Sequence, residues 1–156
     1  MKVGMIGLGR TGEGMSRRMI EKGIEVWGYS STNYENACGQ YEAGYLSGCV
    51  TSLEYLVRAV KTDNKKFISA GKIPGIFQIT LPEQKAEDTL DKLLPLLEEG
   101  DIIIDHSTSD ITKCQELELY CSKLGISYIF SGVYGAPGAI NVCSKLFQSL
   151  SPGNVL

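Results

Sequence analysis

Three glycines near the start of the chain, Gly7, Gly9 and Gly12, stand in G-x-G-x-x-G spacing directly behind the apolar run Val3 to Ile6. Each has a mechanical use around a phosphate. The first permits a tight turn, the second lets the main chain approach a pyrophosphate, and the third lets the following helix pack close to the strand. The helix that starts there offers unpaired N–H groups and a partial positive charge to an anion. Alone the motif is weak, but inside a strand–helix–strand unit it predicts dinucleotide binding. The contacts are expected from Gly7, Leu8, Gly9, Arg10, Thr11 and Gly12.

Which dinucleotide depends on the end of the second strand. A site that prefers NAD places Asp or Glu there, roughly 20 residues on, to hold the ribose hydroxyls. Here the positions read Ser30-Ser31-Thr32, and Glu25 comes too early. Three hydroxyls suit a 2′-phosphate, with Arg10 as the cation, and no carboxylate repels it. NADP is therefore expected ahead of NAD, although the same run also reads as a plain polar turn.

Other reactive side chains are sparse. His106, the single histidine, falls at the end of a strand, where ligands of parallel sheets bind and where an imidazole can exchange protons near neutral pH. The sequence places no carboxylate partner for it, and Asp105 is expected to close the strand and cap the segment after it. Five cysteines include no C-x-x-C pair and, with one histidine, no zinc spacing, so they are expected to be reduced structural thiols with no metal. Cys114 and Cys121, seven apart on a predicted helix, can both face the core.

The elements that must position these groups emerge from periodicity. Strands are expected at "KVGMI", "IEVWGY", "GIFQIT", "DIIID" and "ISYIF". A helix after the glycine loop carries Met15, Met19 and Ile20 at helical spacing and stops at Gly23. "TSLEYLVRAV" reads as a helix with a Thr51/Glu54 capping box and an inward face of Leu53, Leu56, Val57 and Val60. A third, Glu83 to Gly100, turns Ala86, Leu90, Leu93, Leu94 and Leu97 inward and is tightened near its end by Pro95. A fourth, about Ile111 to Leu124, turns Ile111, Cys114, Leu117, Cys121 and Leu124 inward. Strands alternating with helices predict an α/β, doubly wound, mainly parallel sheet of Rossmann type with helices on both faces. The polar passage Lys61 to Gly75 reads as an exposed loop or a helix extension, and the closing residues carry mixed signals.

Composition narrows the partners. At 156 residues, 43% hydrophobic and 21% charged, the chain has the makeup of a single globular domain. A net charge of −3 argues against nucleic acid or an anionic membrane surface as partner. No apolar run reaches a membrane span, and Met1-Lys2 lead straight into a strand without a signal-peptide pattern, so a cytoplasmic location is expected.

The stretches "GLGRTGEGMSRRMIEKGIEVWGY", "TSLEYLV", "LPEQKAEDTLDKLLPLLEEGDIIIDHSTS" and "LGISYIFSGVYGAPGA", in that order, resemble the 6-phosphogluconate dehydrogenase family within the β-hydroxyacid dehydrogenase superfamily, over about Met1 to Ala139. The resemblance implies an oxidoreductase that passes hydride from a 3-hydroxy acid to NADP or NAD. It adds Leu81 and Pro82 to the cofactor contacts and puts Ser107, Thr108, Tyr134 and Gly135 on the substrate side. Ser107-Thr108 is closer to hydroxyisobutyrate-type relatives, whereas Tyr134-Gly135-Ala136 departs from the family's Ser-Gly-Gly. The family's catalytic lysine and its asparagine partner belong to a helix beyond residue 156, and Lys145 sits in no matching motif. No catalytic residue is therefore expected in this chain. Residues 1–140 are expected to form the NAD(P)-binding domain and 141–156 an unassigned tail, with the family's helical second domain absent. The expected partners are a small-molecule dinucleotide, a hydroxy-acid substrate and a second copy of the chain. The alternative is a non-catalytic dinucleotide-binding or sensing module.

Overall fold

The computed structural model describes residues 1–62, 74–107 and 110–132. Most of the polar passage 61–75, together with Thr108, Tyr134, Gly135 and the 141–156 tail, lies outside them. The described residues form six strands, all parallel, in the order β3-β2-β1-β4-β5-β6. The strands are β1 (Lys2–Ile6), β2 (Glu25–Tyr29), β3 (Gly48–Val50), β4 (Ile76–Ile79), β5 (Ile102–Asp105) and β6 (Ser127–Phe130). The helices between them are α1 (Arg10–Glu21), α2 (Tyr34–Glu42), α3 (Leu53–Thr62), α4 (Glu83–Leu93) and α5 (Ile111–Lys123).

Period-two alternation splits the core into two layers. Val3, Met5, Val26, Ile76 and Ile104 meet Met15 and Met19 of α1 and Ala37 of α2 on one face. Ile6, Phe77, Ile79 and Ile103 meet α3, α4 and α5 on the other. Each fully buried large side chain contributes about 1.5–3 kcal/mol of burial energy, so the two layers hold the central strands firmly. All four residues of β4, Gln78 among them, are buried, as a central strand between two helical layers must be.

Pro95 acts as expected: α4 ends at Leu93 and gives way to a 3-10 turn, Leu94–Leu96. Cys114 and Cys121 are buried under α5. The four described cysteines are free, and Cys38 and Cys49 lie with their sulfurs 3.8 Å apart.

Three local expectations change. Helix α3 is capped by Ser52 rather than Thr51: the Ser52 hydroxyl accepts the Tyr55 N–H at 3.3 Å, which puts Glu54 one position short of a capping box. Ile111 and Leu124 are exposed, not inward. Helix α5 is about 20 Å long by its rise and packs on β6, a four-residue strand of about 13 Å, so the ends of its stripe have nothing to cover. Finally, α2 and β3 occupy a stretch that periodicity leaves unassigned. Only Ala37 and Gln40 are buried on α2, so it has no apolar stripe to read, and β3 is three residues long.

Candidate functional site

Strand β1 lies between β2 and β4, and the chain leaves β1 and β4 toward opposite sides of the sheet, so a crevice opens at their C-terminal ends. The glycine loop fills one wall. Gly7 has φ +96°, a backbone conformation that side chains rarely adopt, and a Cβ there would meet the Thr80 carbonyl at 2.7 Å. A Cβ on Gly12 would run into the Gly7 carbonyl oxygen and lie 2.7 Å from the Thr80 hydroxyl. Gly9 differs from both: nothing lies within 4 Å of where its Cβ would stand. That open space faces the cavity, and Gly9 is also the N-cap of α1, with no side chain bonded to the helix start. The first and third glycines are needed for packing, and the second leaves room for a ligand.

The loop after β4 is tied to this turn. The Thr80 hydroxyl donates to the Gly7 carbonyl at 2.6 Å, and the Thr80 N–H donates to the Ile6 carbonyl at 2.8 Å. Helix α2 braces the loop from the other side, because Asn36 Nδ2 and Gln40 Nε2 both donate to the Leu8 carbonyl, at 3.0 and 2.9 Å. Between β2 and α2 the Ser30 hydroxyl accepts the Asn33 N–H at 3.1 Å, and Asn33 Oδ1 accepts the Asn36 N–H at 3.0 Å. The Ser30-Ser31-Thr32 run is thus a capped turn whose residues border the cavity.

The cavity these loops enclose has a volume of about 420 Å³. Gly7, Leu8, Gly9, Ser30, Ser31, Thr32, Leu81 and Pro82 line it. Tyr29 lines it too, with its ring packed on the core below. Arg10 and Thr11, the first two residues of α1, lie outside the lining, and Gly12 is buried behind it. Sequence reasoning missed Thr80, Asn33 and Asn36, and it missed the face of α4 that supplies Lys85, Asp88, Thr89 and Lys92. The α4 face was visible in its spacing, since those four fall on one helical stripe next to that of Ala86, Leu90 and Leu93.

A second polar group sits at the ends of β5 and β6. The buried Asp105 carboxylate accepts the Ser107 N–H at 2.8 Å and the Tyr128 hydroxyl at 2.6 Å, so it closes the strand as expected. Burial and the adjacent carboxylate push the Tyr128 phenol well above its ordinary range. His106 Nδ1 donates to the Ser131 carbonyl at 3.1 Å, while Nε2 is buried without a hydrogen-bond partner among the described residues. Burial lowers the imidazole pKa and outweighs the Ser131 bond and the Asp105 charge, which act the other way. Ser107 is buried beside this group and Thr108 lies outside the described residues. Among the described residues no cluster of three or more His, Cys, Asp or Glu is placed to hold a metal, and no helix is long and apolar enough to cross a membrane.

A parallel sheet in this strand order, with a glycine-rich turn and an open crevice at its switch point, defines a dinucleotide-binding Rossmann domain. Residues 2–143 match the NAD binding domain of 6-phosphogluconate dehydrogenase, and the chain belongs to that family. The decarboxylating 6-phosphogluconate dehydrogenase of Dictyostelium discoideum is 32% identical over 157 residues, which cover 97% of this chain and 28% of that enzyme. The chain thus spans less than a third of that relative's length. Among solved structures it is similar to a 3-hydroxyisobutyrate dehydrogenase of Mycobacterium tuberculosis with L-serine. The TM-score is 0.71 at 18% identity, over 98% of this chain and 50% of that one. It is also similar to a reductive aminase of Aspergillus terreus with NADPH and ethyl levulinate, with TM-score 0.66 at 16% identity, over 88% and 42%. Those two likenesses are of fold. The family match makes this an NAD binding domain of the 6-phosphogluconate dehydrogenase type.

Proposed function

We propose that the chain binds NADP(H), with NAD(H) second, and serves as the cofactor-holding part of an oxidoreductase that exchanges hydride with a 3-hydroxy acid. The observation that carries this reading is the cradle itself. Gly7 and Gly12 are committed to close packing, while Gly9, at the uncapped start of a 12-residue helix, faces open space. Residues 1–140 form the cofactor domain in this reading, and the hydroxyls of Ser107 and Thr108 take the substrate side together with Tyr134 and Gly135. Bound NAD(P) supplies the hydride acceptor, and the chain's own part is to orient it and keep its phosphates on the loop. Free thiols at Cys38, Cys49, Cys114 and Cys121 fit a reducing, cytosolic compartment.

Turnover by this chain alone is expected to be poor, because positioned acid–base groups supply much of the barrier reduction and none is assigned here. Calorimetric titration with NADPH and NADH tests the reading. Saturable binding with NADPH the tighter is expected, and no saturable binding of either cofactor would overturn it. Efficient oxidation of 6-phosphogluconate or 3-hydroxyisobutyrate by the chain alone would overturn the non-catalytic part.

A further inference from the structure

The cavity has a wall that the glycine motif does not explain. Helix α4 lines it with Lys85, Asp88, Thr89 and Lys92, opposite Ser30, Ser31 and Thr32 on the β2 turn. Positions i, i+3, i+4 and i+7 share one helical stripe, so all four side chains belong to one face, beside the buried stripe of Ala86, Leu90 and Leu93. Neither lysine has an ion-pair partner among the described residues, whereas Arg17, Arg18, Lys61 and Lys113 each do. Asp88 is the one carboxylate among the described lining residues. The lining therefore carries a net positive charge and holds it on α4. Arg10, the cation that sequence favours, is outside the lining.

We propose that Lys85 and Lys92 are the residues that select NADP(H) over NAD(H), by meeting the 2′-phosphate across the cleft from the hydroxyls of Ser31 and Thr32. The proposal rests on the dinucleotide reading above and names the residues that discriminate between the two cofactors. Physically it divides the task. A lysine ammonium is a mobile point charge on a long stem, suited to a phosphate approached from a facing helix. Ser30 is held in the turn by the Asn33 N–H that it accepts, and Ser31 and Thr32 beside it carry hydroxyls that can donate to the phosphate. No carboxylate on the turn repels the phosphate. Because both lysines are exposed, their attraction is screened by salt, and the preference should shrink as ionic strength rises.

The test is the ratio of NADPH to NADH affinity, measured by equilibrium titration for the wild type, Lys85→Met, Lys92→Met, the double variant and Arg10→Met. Circular dichroism confirms the fold of each. The wild type is expected to bind NADPH more tightly, with a ratio that falls about tenfold for each lysine removed. The salt dependence of the ratio should flatten in the double variant. The proposal is overturned if the double variant keeps the ratio, if Arg10→Met removes it instead, or if the wild type binds the two cofactors equally. Failure of the wild type to bind either one is a different result: it overturns the dinucleotide reading on which this proposal stands.

Discussion

Two regions at the same edge of the sheet are built on opposite principles. At the ends of β1 and β4 the chain makes a cradle from backbone: glycines without side chains, main chain packed close at Gly7, Gly12 and Thr80, and a threonine hydroxyl as the tie. At the ends of β5 and β6 it makes a buried knot from side chains, with Asp105 bonded to both Tyr128 and Ser107 and His106 turned to Ser131. The cradle keeps a space open, and the knot fills one. The cradle should therefore fail through added volume, and the knot through lost partners.

The largest expected effect comes from adding volume to the cradle. In Gly12→Ala the new methyl meets the Gly7 carbonyl, a backbone group that cannot rotate away. Cofactor affinity should drop more than about 100-fold, with a loss of roughly 3 kcal/mol in denaturant unfolding. Gly9→Ala, which meets no protein atom, should fold like the wild type and lose affinity alone.

Removing a partner from the knot comes next. Asp105→Ala strands the Tyr128 hydroxyl and the Ser107 N–H in a buried site and should cost about 3 kcal/mol of stability. If the two regions are independent, NADPH affinity of the folded variant should stay within about threefold of wild type. A smaller change tests the brace behind the cradle. Gln40→Ala removes one of two bonds to the Leu8 carbonyl and should cost about 1 kcal/mol.

The smallest effect is a pH dependence. His106 has its imidazole pKa lowered by burial, so the unfolded chain takes up a proton there more readily than the folded one. Its contribution is intact above about pH 6.5, the ordinary histidine value, and declines as pH falls through that value toward the lowered one. Thermal melts of the wild type between pH 7 and 5 should show this loss, and His106→Asn should lack that part of it.

The two regions also differ in how far the sequence reveals them. The cradle is legible because glycine acts locally: Gly7, Gly9 and Gly12 carry their geometry in their spacing, and the apolar run before them fixes the strand. Thr80 is not legible, since its tie to Gly7 spans 73 positions and depends on β4 lying next to β1. Helix α2 hides for a different reason. It buries Gln40 to hold the loop, and a polar residue turned inward erases the stripe that periodicity detects. In the knot, the closing role of Asp105 is expected from the sequence, but Tyr128 as its partner is not. The register pairing Ile103 with Tyr128 is a product of the sheet order, not of any local signal.

In the reading proposed above, the dinucleotide binds in the crevice between β1 and β4. Amide chemical-shift mapping of the chain with NADPH tests it most directly. The largest shifts are expected at Gly7, Gly9, Ser31, Thr32 and Leu81, with those of Asp105 and His106 smaller. Shifts confined to the β5 and β6 ends, or spread over the outer helices with the glycine loop unmoved, would contradict it.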